Sequence, residues 1–142
     1  MMLRSARFAE LDPATLYALL RLRCDVFVVE QQCAYPEVDG RDAEPDTVHL
    51  WLDEDGIPVA YLRILRDPGA ARIGRVCTAK AHRGAGLADR LMRAALDALQ
   101  AGLPCVLDAQ TGAIGLYQRH GFVVAGEPYV EDGIEHLPMR RP

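Results

Sequence analysis

The sequence has no apolar run long enough to cross a bilayer, which leaves a membrane out of the expected partners. Its first residues, MMLRSARFAELD, meet charge too early for a secretory signal, so a cytoplasmic protein is expected. An excess of basic charge is also missing. Lys and Arg number 16 against 20 Asp and Glu, a formal charge of −4. That argues against a broad nucleic-acid surface. Four cysteines stand at 24, 33, 77 and 105, with no C-x-x-C pair and no zinc spacing. They read as reduced, buried or half-buried thiols, and no metal is expected. There is no internal repeat, no low-complexity tract and no linker. A length of 142 residues suits one domain over 1–142, long enough to bury a real core.

Strands and helices alternate along what remains. LRSARFAEL reads as a first strand. DPATLYALLRLRCDVF reads as a helix, with Asp12 as N-cap, Pro13 in the first turn, and Leu16, Leu19, Leu20 and Phe27 on one face. The segment Cys33 to Thr47 is loop-like. It sets Glu37, Asp39, Asp42, Glu44 and Asp46 against a single Arg41, and so reads as a solvated loop or as a rim that draws in a cationic amine. TVHLWL and IPVAYLRIL form a hairpin around EDG, and ARIGRVCT is a further strand. A helix then runs to about Ala101. Leu87, Leu91, Ala95, Ala98 and Leu99 make its apolar face; Asp89, Arg90, Arg93, Asp97 and Gln100 make its wet one. CVLDAQ is a strand, TGAIGLYQRH a short helix, and FVVAGEPYV and EHLPMRR the last strands. The expected fold is a mixed α/β sheet with helices on both faces.

The stretch HRGAGLADRLM, His82 to Met92, places glycines between a strand and a helix. The first amides of a helix lack partners and carry partial positive charge, so an anion satisfies them. Small residues at 84 to 86 leave the main chain open to phosphate oxygens, and Arg83 adds a fixed charge. The alternative is a turn whose glycines only permit tight packing. The nucleotide loop G-x-x-x-x-G-K-[ST] is absent. A dinucleotide fingerprint would need a third glycine where Asp89 stands.

Arg83-Gly84-Ala85-Gly86-Leu87-Ala88 matches the [QR]-x-x-G-x-[GA] signature of the GNAT superfamily of N-acetyltransferases. TGAIGLYQRHGF, Thr111 to Phe122, resembles its second signature, a helix carrying a tyrosine before Gly-Phe. VFVVEQQCAYPEVDGRD and EDGIEHLPM resemble the ElaA-like branch. The resemblance covers nearly the whole chain and implies the GNAT fold, with a mostly antiparallel central sheet. It implies acetyl transfer from acetyl-CoA to a primary amine, on a small molecule or peptide, by direct attack in a ternary complex. The pantetheine arm would lie along Val76, Cys77 and Thr78. The diphosphate would sit on the amides of Gly84, Ala85, Gly86, Leu87 and Ala88, beside Arg83. Gln110 stands where the family often has asparagine, and is still expected to reach the cofactor. Tyr117 matches the general acid that protonates the leaving thiolate.

An amine with a pKa near 10.4 is protonated at neutral pH, and freeing its lone pair costs about 4–5 kcal/mol. The strand Ala71 to Thr78 nonetheless holds no Asp, Glu or His; the position of the family's usual base is Arg72. Glu30, His49, Asp108 and His136 are the candidate bases, and none is favoured by spacing. A bound water is the other route. His82 reads as a solvent or phosphate contact and His120 as a helix-end cation. Tyr35, Trp51 and Tyr61 are candidates for an acceptor pocket or for plain packing. An acetyl-cysteine route through Cys77 or Cys105 lacks a histidine pattern nearby. The missing base keeps a second reading open, a non-catalytic acyl-CoA sensor. A homodimer through the late strands also stays open.

Overall fold

A computed structural model describes residues 1–99 and 101–142; Gln100, expected on the wet side of the second helix, lies outside the described residues. Eight strands form one sheet: β1 (Met2–Arg7), β2 (Val48–Glu54), β3 (Ile57–Asp67), β4 (Ala70–Thr78), β5 (Cys105–Gln110), β6 (Val123–Val124), β7 (Tyr129–Glu131) and β8 (Ile134–Arg141). Their order is β1-β2-β3-β4-β5-β8-β6, with β7 also on β8. Every described pairing is antiparallel except β4 with β5. The strand expected over 122–130 is two short ones. Gly126 and Pro128 interrupt it, and proline offers no N–H to a ladder.

Three helices flank the sheet: α1 (Pro13–Cys24), α2 (Leu87–Ala98) and α3 (Ile114–Gln118). Asp12 caps α1, accepting from the Thr15 amide at 2.7 Å. Past Cys24 the helix widens rather than ending at Phe27. The Gln31 and Cys33 amides donate to the Val26 and Val28 carbonyls, five residues back, and the helical path continues to Glu30. Side chains alternate across β2 and divide the core in two. Trp51, with Tyr61 and Cys77, packs under Leu19, Leu22, Val26 and Phe27 of α1. Leu50 and Leu52, with Leu62 and Ile73, pack under Leu87, Leu91, Met92 and Ala95 of α2, and Tyr117 and Phe122 join that side. Helices therefore cover both faces, as expected. Ala98, assigned to the apolar face of α2, is exposed near the helix end.

Two irregularities of β4 shape the functional end of the sheet. Tyr61 pairs with Cys77 and Arg63 with Gly74, so one residue of β3 faces two of β4. This is a β-bulge, with Arg75 in the left-handed region at φ +55°. It reverses the alternation, so Ile73 faces α2 while Cys77 faces α1. The second irregularity is the parting of β4 from β5. They pair only at Ala71 with Cys105 and Arg72 with Val106, and then splay.

The acidic segment is neither a solvated loop nor a free anionic rim. Glu37 and Asp42 are buried and serve as counterions for arginines from three other elements. Arg23 of α1, 1% exposed, donates to Glu37 Oε2 at 2.8 Å and Asp42 Oδ1 at 2.7 Å. Arg63 of β3 donates to Asp39 Oδ2 at 2.6 Å and Asp42 Oδ1 at 3.1 Å. Arg75 of the bulge donates to Glu37 Oε2 at 2.7 Å, as does the Tyr35 hydroxyl to Oε1 at 2.6 Å. Three cations meet three anions, and the loop is clamped to α1, β3 and β4.

Removing one member of such a cluster leaves buried charge uncompensated. Arg23→Met is therefore expected to cost about 3–5 kcal/mol, read from urea unfolding midpoints; a loss under about 1 kcal/mol would contradict the clamp. Burial alone would raise the Asp42 carboxyl, but hydrogen bonds and charge from Arg23 and Arg63 hold it below its ordinary value. Asp39 is lowered in the same way against its burial, by Arg63 foremost. The folded state thus binds fewer protons than the unfolded one. Stability should be flat above about pH 5 and fall as the pH drops below about 4. A urea series across pH checks this, and unchanged midpoints down to pH 3 would contradict it.

Candidate active site

The splayed strands open a cavity of about 740 Å³ that passes through the sheet. Its size suits a small-molecule or cofactor site. Val76, Cys77, Thr78, Arg83, Gly84, Gly86, Leu87, Ala88, Gln110 and Tyr117 all line it; Ala85 is exposed and does not. Residues far apart in sequence thus converge on one space. Beyond Arg72 the β4 edge that faces β5 has no strand partner among the described residues. Backbone groups in such a position need water or a ligand to satisfy them.

The turn before α2 holds Gly84 at φ +84° and Gly86 at φ +75°. A Cβ at either would meet no atom within 4 Å. These glycines therefore do not serve tight packing. They allow the left-handed backbone and leave its outer side open. Gly86 is the N-cap of α2, and no side chain caps the helix there. The first amides are free to meet an anion.

Arg83 is not free in the same way. Its guanidinium grips Glu30 at 2.5 and 2.7 Å and donates to the Thr78 carbonyl at 3.1 Å. The Arg83 hydrogen bond holds the Glu30 carboxyl below its ordinary value, so Glu30 is a poor proton acceptor. Gln110, expected to reach a cofactor, is also engaged. It exchanges two amide hydrogen bonds with Gln31, at 3.2 and 3.3 Å. Gln31 escaped the sequence reading because it follows the expected end of α1. The unforeseen continuation of that helix brings it over the cavity. Cys33 joins it there, its thiol donating to the Asp132 carbonyl at 3.2 Å.

Tyr117 is buried within the cavity wall, and burial pushes its hydroxyl up to about 12, with the Cys77 charge adding. It stays protonated at neutral pH and is a proton donor. Burial pushes the Cys77 thiol up to about 12 as well, and its side lies against α1. Cys105 is buried and raised to about 11 by burial. Neither carries the thiolate a covalent route needs.

The candidate bases separate clearly. His49 is buried away from the cavity. Its Nε2–H donates to the Asp42 carbonyl at 3.0 Å, and Nδ1 accepts from the Tyr61 hydroxyl at 2.7 Å. Burial lowers its pKa and keeps it neutral. Asp108 lines the cavity but receives Arg72 at 2.7 Å, and Arg72 also holds Asp67. His136 lines the cavity too; Nδ1–H donates to the Ile134 carbonyl at 2.8 Å. His82 borders the cavity and pairs through Nε2 with Glu54 at 3.0 Å. His120, expected as a helix-end cation, instead ties α3 to α2 through Asp89 at 2.9 Å. Of the three aromatics, Tyr35 lines the cavity, while Trp51 and Tyr61 are core under α1. Among the described residues no group of three or more His, Cys, Asp or Glu is arranged to hold a metal. Nor, among those residues, is any helix long and apolar enough to cross a membrane.

Comparison with known proteins agrees with this architecture. The family described as Acetyltransferase (GNAT) domain matches residues 21–141. A UPF0039 protein of Mycobacterium bovis is 46% identical over 145 residues, covering 99% of this chain and 92% of its own. The crystal structure of an acyl-CoA N-acyltransferase from Pseudomonas aeruginosa superposes with a TM-score of 0.94 at 45% identity, over 100% of both chains. That of Escherichia coli ElaA gives 0.95 at 38% identity, again over 100% of both. With the family model matched over most of its length and ElaA alike in both sequence and structure, this chain belongs to the GNAT acetyltransferase family, on its ElaA-like branch.

Proposed function

We propose that residues 1–142 act as one acetyltransferase domain that moves an acetyl group from acetyl-CoA to a primary amine, by direct attack in a ternary complex. The observation that carries this reading is the gap between β4 and β5. It joins an open anion cradle at 84–88 to a buried phenol at 117 through one continuous cavity. Acetyl-CoA, when bound, supplies an activated acyl group and a thiolate leaving group.

The chain's own residues divide the remaining work. The amides of Gly84 to Ala88 hold the diphosphate, with the partial charge of the α2 N-terminus behind them. The free edge at Val76, Cys77 and Thr78 holds the pantetheine amides as a strand would. Arg83 approaches the diphosphate only by exchanging Glu30 for it, so its share is smaller than that of the amides. Gln110 likewise turns to the pantetheine only by leaving Gln31. Tyr117 donates its proton to the departing sulfur. Because a thiol with a pKa near 8.5 is already a fair leaving group, that proton is worth about 10- to 1,000-fold in rate. The acceptor enters from the α1 side, where Phe27, Tyr35 and Pro36 wall the cavity.

Tyr117→Phe should lower kcat by about 10- to 1,000-fold and leave acetyl-CoA affinity unchanged. Thiol release with an amine panel, beside calorimetric binding, checks it. Acetyl-CoA binding by the native chain with no turnover on any amine would favour the sensor reading. Gly86→Asp should abolish acetyl-CoA binding through bulk and negative charge. Gly69→Asp carries similar backbone strain at φ +74° away from the site and is the control. Equal acetyl-CoA affinity in both folded variants would overturn the cradle.

A further inference from the structure

The strand carrying the family's usual base supplies Arg72, which is locked between Asp67 and Asp108. Something else must take the proton that the amine loses. We propose that His136 is the general base of this site; the inference rests on the acetyl-transfer reading above.

Three observations carry it. The first is the tautomer. A carbonyl only accepts, so the 2.8 Å contact from Nδ1 to the Ile134 oxygen places the proton on Nδ1. The lone pair of neutral His136 is then on Nε2, which has no partner among the described residues. The second is rigidity. The ring stacks on Tyr129 with centroids 5.6 Å apart and planes 17° apart. Tyr129 stands directly opposite His136 in the β7–β8 register, so β7 holds the ring in place. The third is placement. His136 stands directly opposite Gln110 in the β5–β8 register, so both side chains leave the same face of the sheet. The adjacent pair, Ala109 with Leu137, points to the other face, the face packed by α2 and α3. Tyr117 belongs to that second face. Acid and base therefore flank the gap from opposite sides of the sheet, and both border the same cavity.

The chemistry balances with these two groups. The acceptor arrives as the free amine, and its lone pair attacks the thioester carbonyl carbon. The N–H proton passes to His136 Nε2. The C–S bond breaks, and the sulfur takes the Tyr117 proton. His136 then returns its proton to solvent and Tyr117 regains one. The other three candidates lack this combination. His49 is outside the cavity with both nitrogens bonded, Glu30 is held by Arg83, and Asp108 is held by Arg72.

The test uses His136→Asn and His136→Ala in the full chain. Thiol release is measured with the best amine of the panel, and acetyl-CoA binding by calorimetry. Expected is a 100- to 10,000-fold fall in kcat in both variants, with acetyl-CoA affinity within about twofold of the native chain. Added imidazole should restore turnover in His136→Ala and not in the native chain. A merely structural histidine would not give that rescue. Native-like kcat in either folded variant overturns the assignment and leaves the acetyl-transfer reading intact. So does a loss that imidazole does not rescue. No turnover by the native chain on any amine overturns that reading, and the assignment with it.

Discussion

Backbone groups must be paired, and β4 leaves most of its length unpaired on one side. That constraint organises the molecule. The strand is held by β3 throughout, yet β5 leaves it after Arg72. In a compact fold such an edge costs free energy unless water or a ligand satisfies it. The parted strands create both the opening through the sheet and the row of hydrogen-bonding groups along it. The glycine turn, the buried phenol and the histidine matter because each borders that opening.

Keeping the strands apart requires that the walls not collapse. The cluster of Arg23, Arg63 and Arg75 with Glu37, Asp39 and Asp42 answers that need on one side. It ties the long loop to the bulge of β4, and Arg75 stands at the junction. Its guanidinium also lies 5.3 Å from the centre of the Tyr35 ring, so charge pairing and aromatic packing fix the same wall. Across the cavity, Gln31 and Cys33 reach Gln110 and Asp132. Gln31 and Cys33, just past the widened helix, therefore bridge from the α1 side to the β5–β8 side. Ligand entry has to contend with that bridge as well as with the Arg83–Glu30 pair.

Much of this was legible in the sequence because it is local. The hairpin of TVHLWL and IPVAYLRIL around EDG, the Asp12-Pro13 start and the Arg83–Ala88 turn are each set by neighbours a few residues apart. Tyr117 and the phosphate turn could be placed together through a family resemblance. The acidic loop was not legible in that way. Its partners lie 14 to 38 residues off, so a local charge count sees an unbalanced loop. A signal was nonetheless present. Arg23 falls on the apolar face between Leu19 and Val26, and Arg63 interrupts the buried run VAYLRIL. Arginine in those positions demands buried carboxylates. Gln31 and the rank of His136 above His49 were out of reach for another reason. They depend on a change of helix type and on which carbonyl a ring nitrogen meets.

The most direct measurement is the crystal structure of the acetyl-CoA complex. The diphosphate should lie on the amides of residues 84 to 88, and the pantetheine should run along Val76 to Thr78 in the gap, with its sulfur toward Tyr117. An acetyl-CoA molecule bound elsewhere, with the gap and the turn empty, would contradict the account.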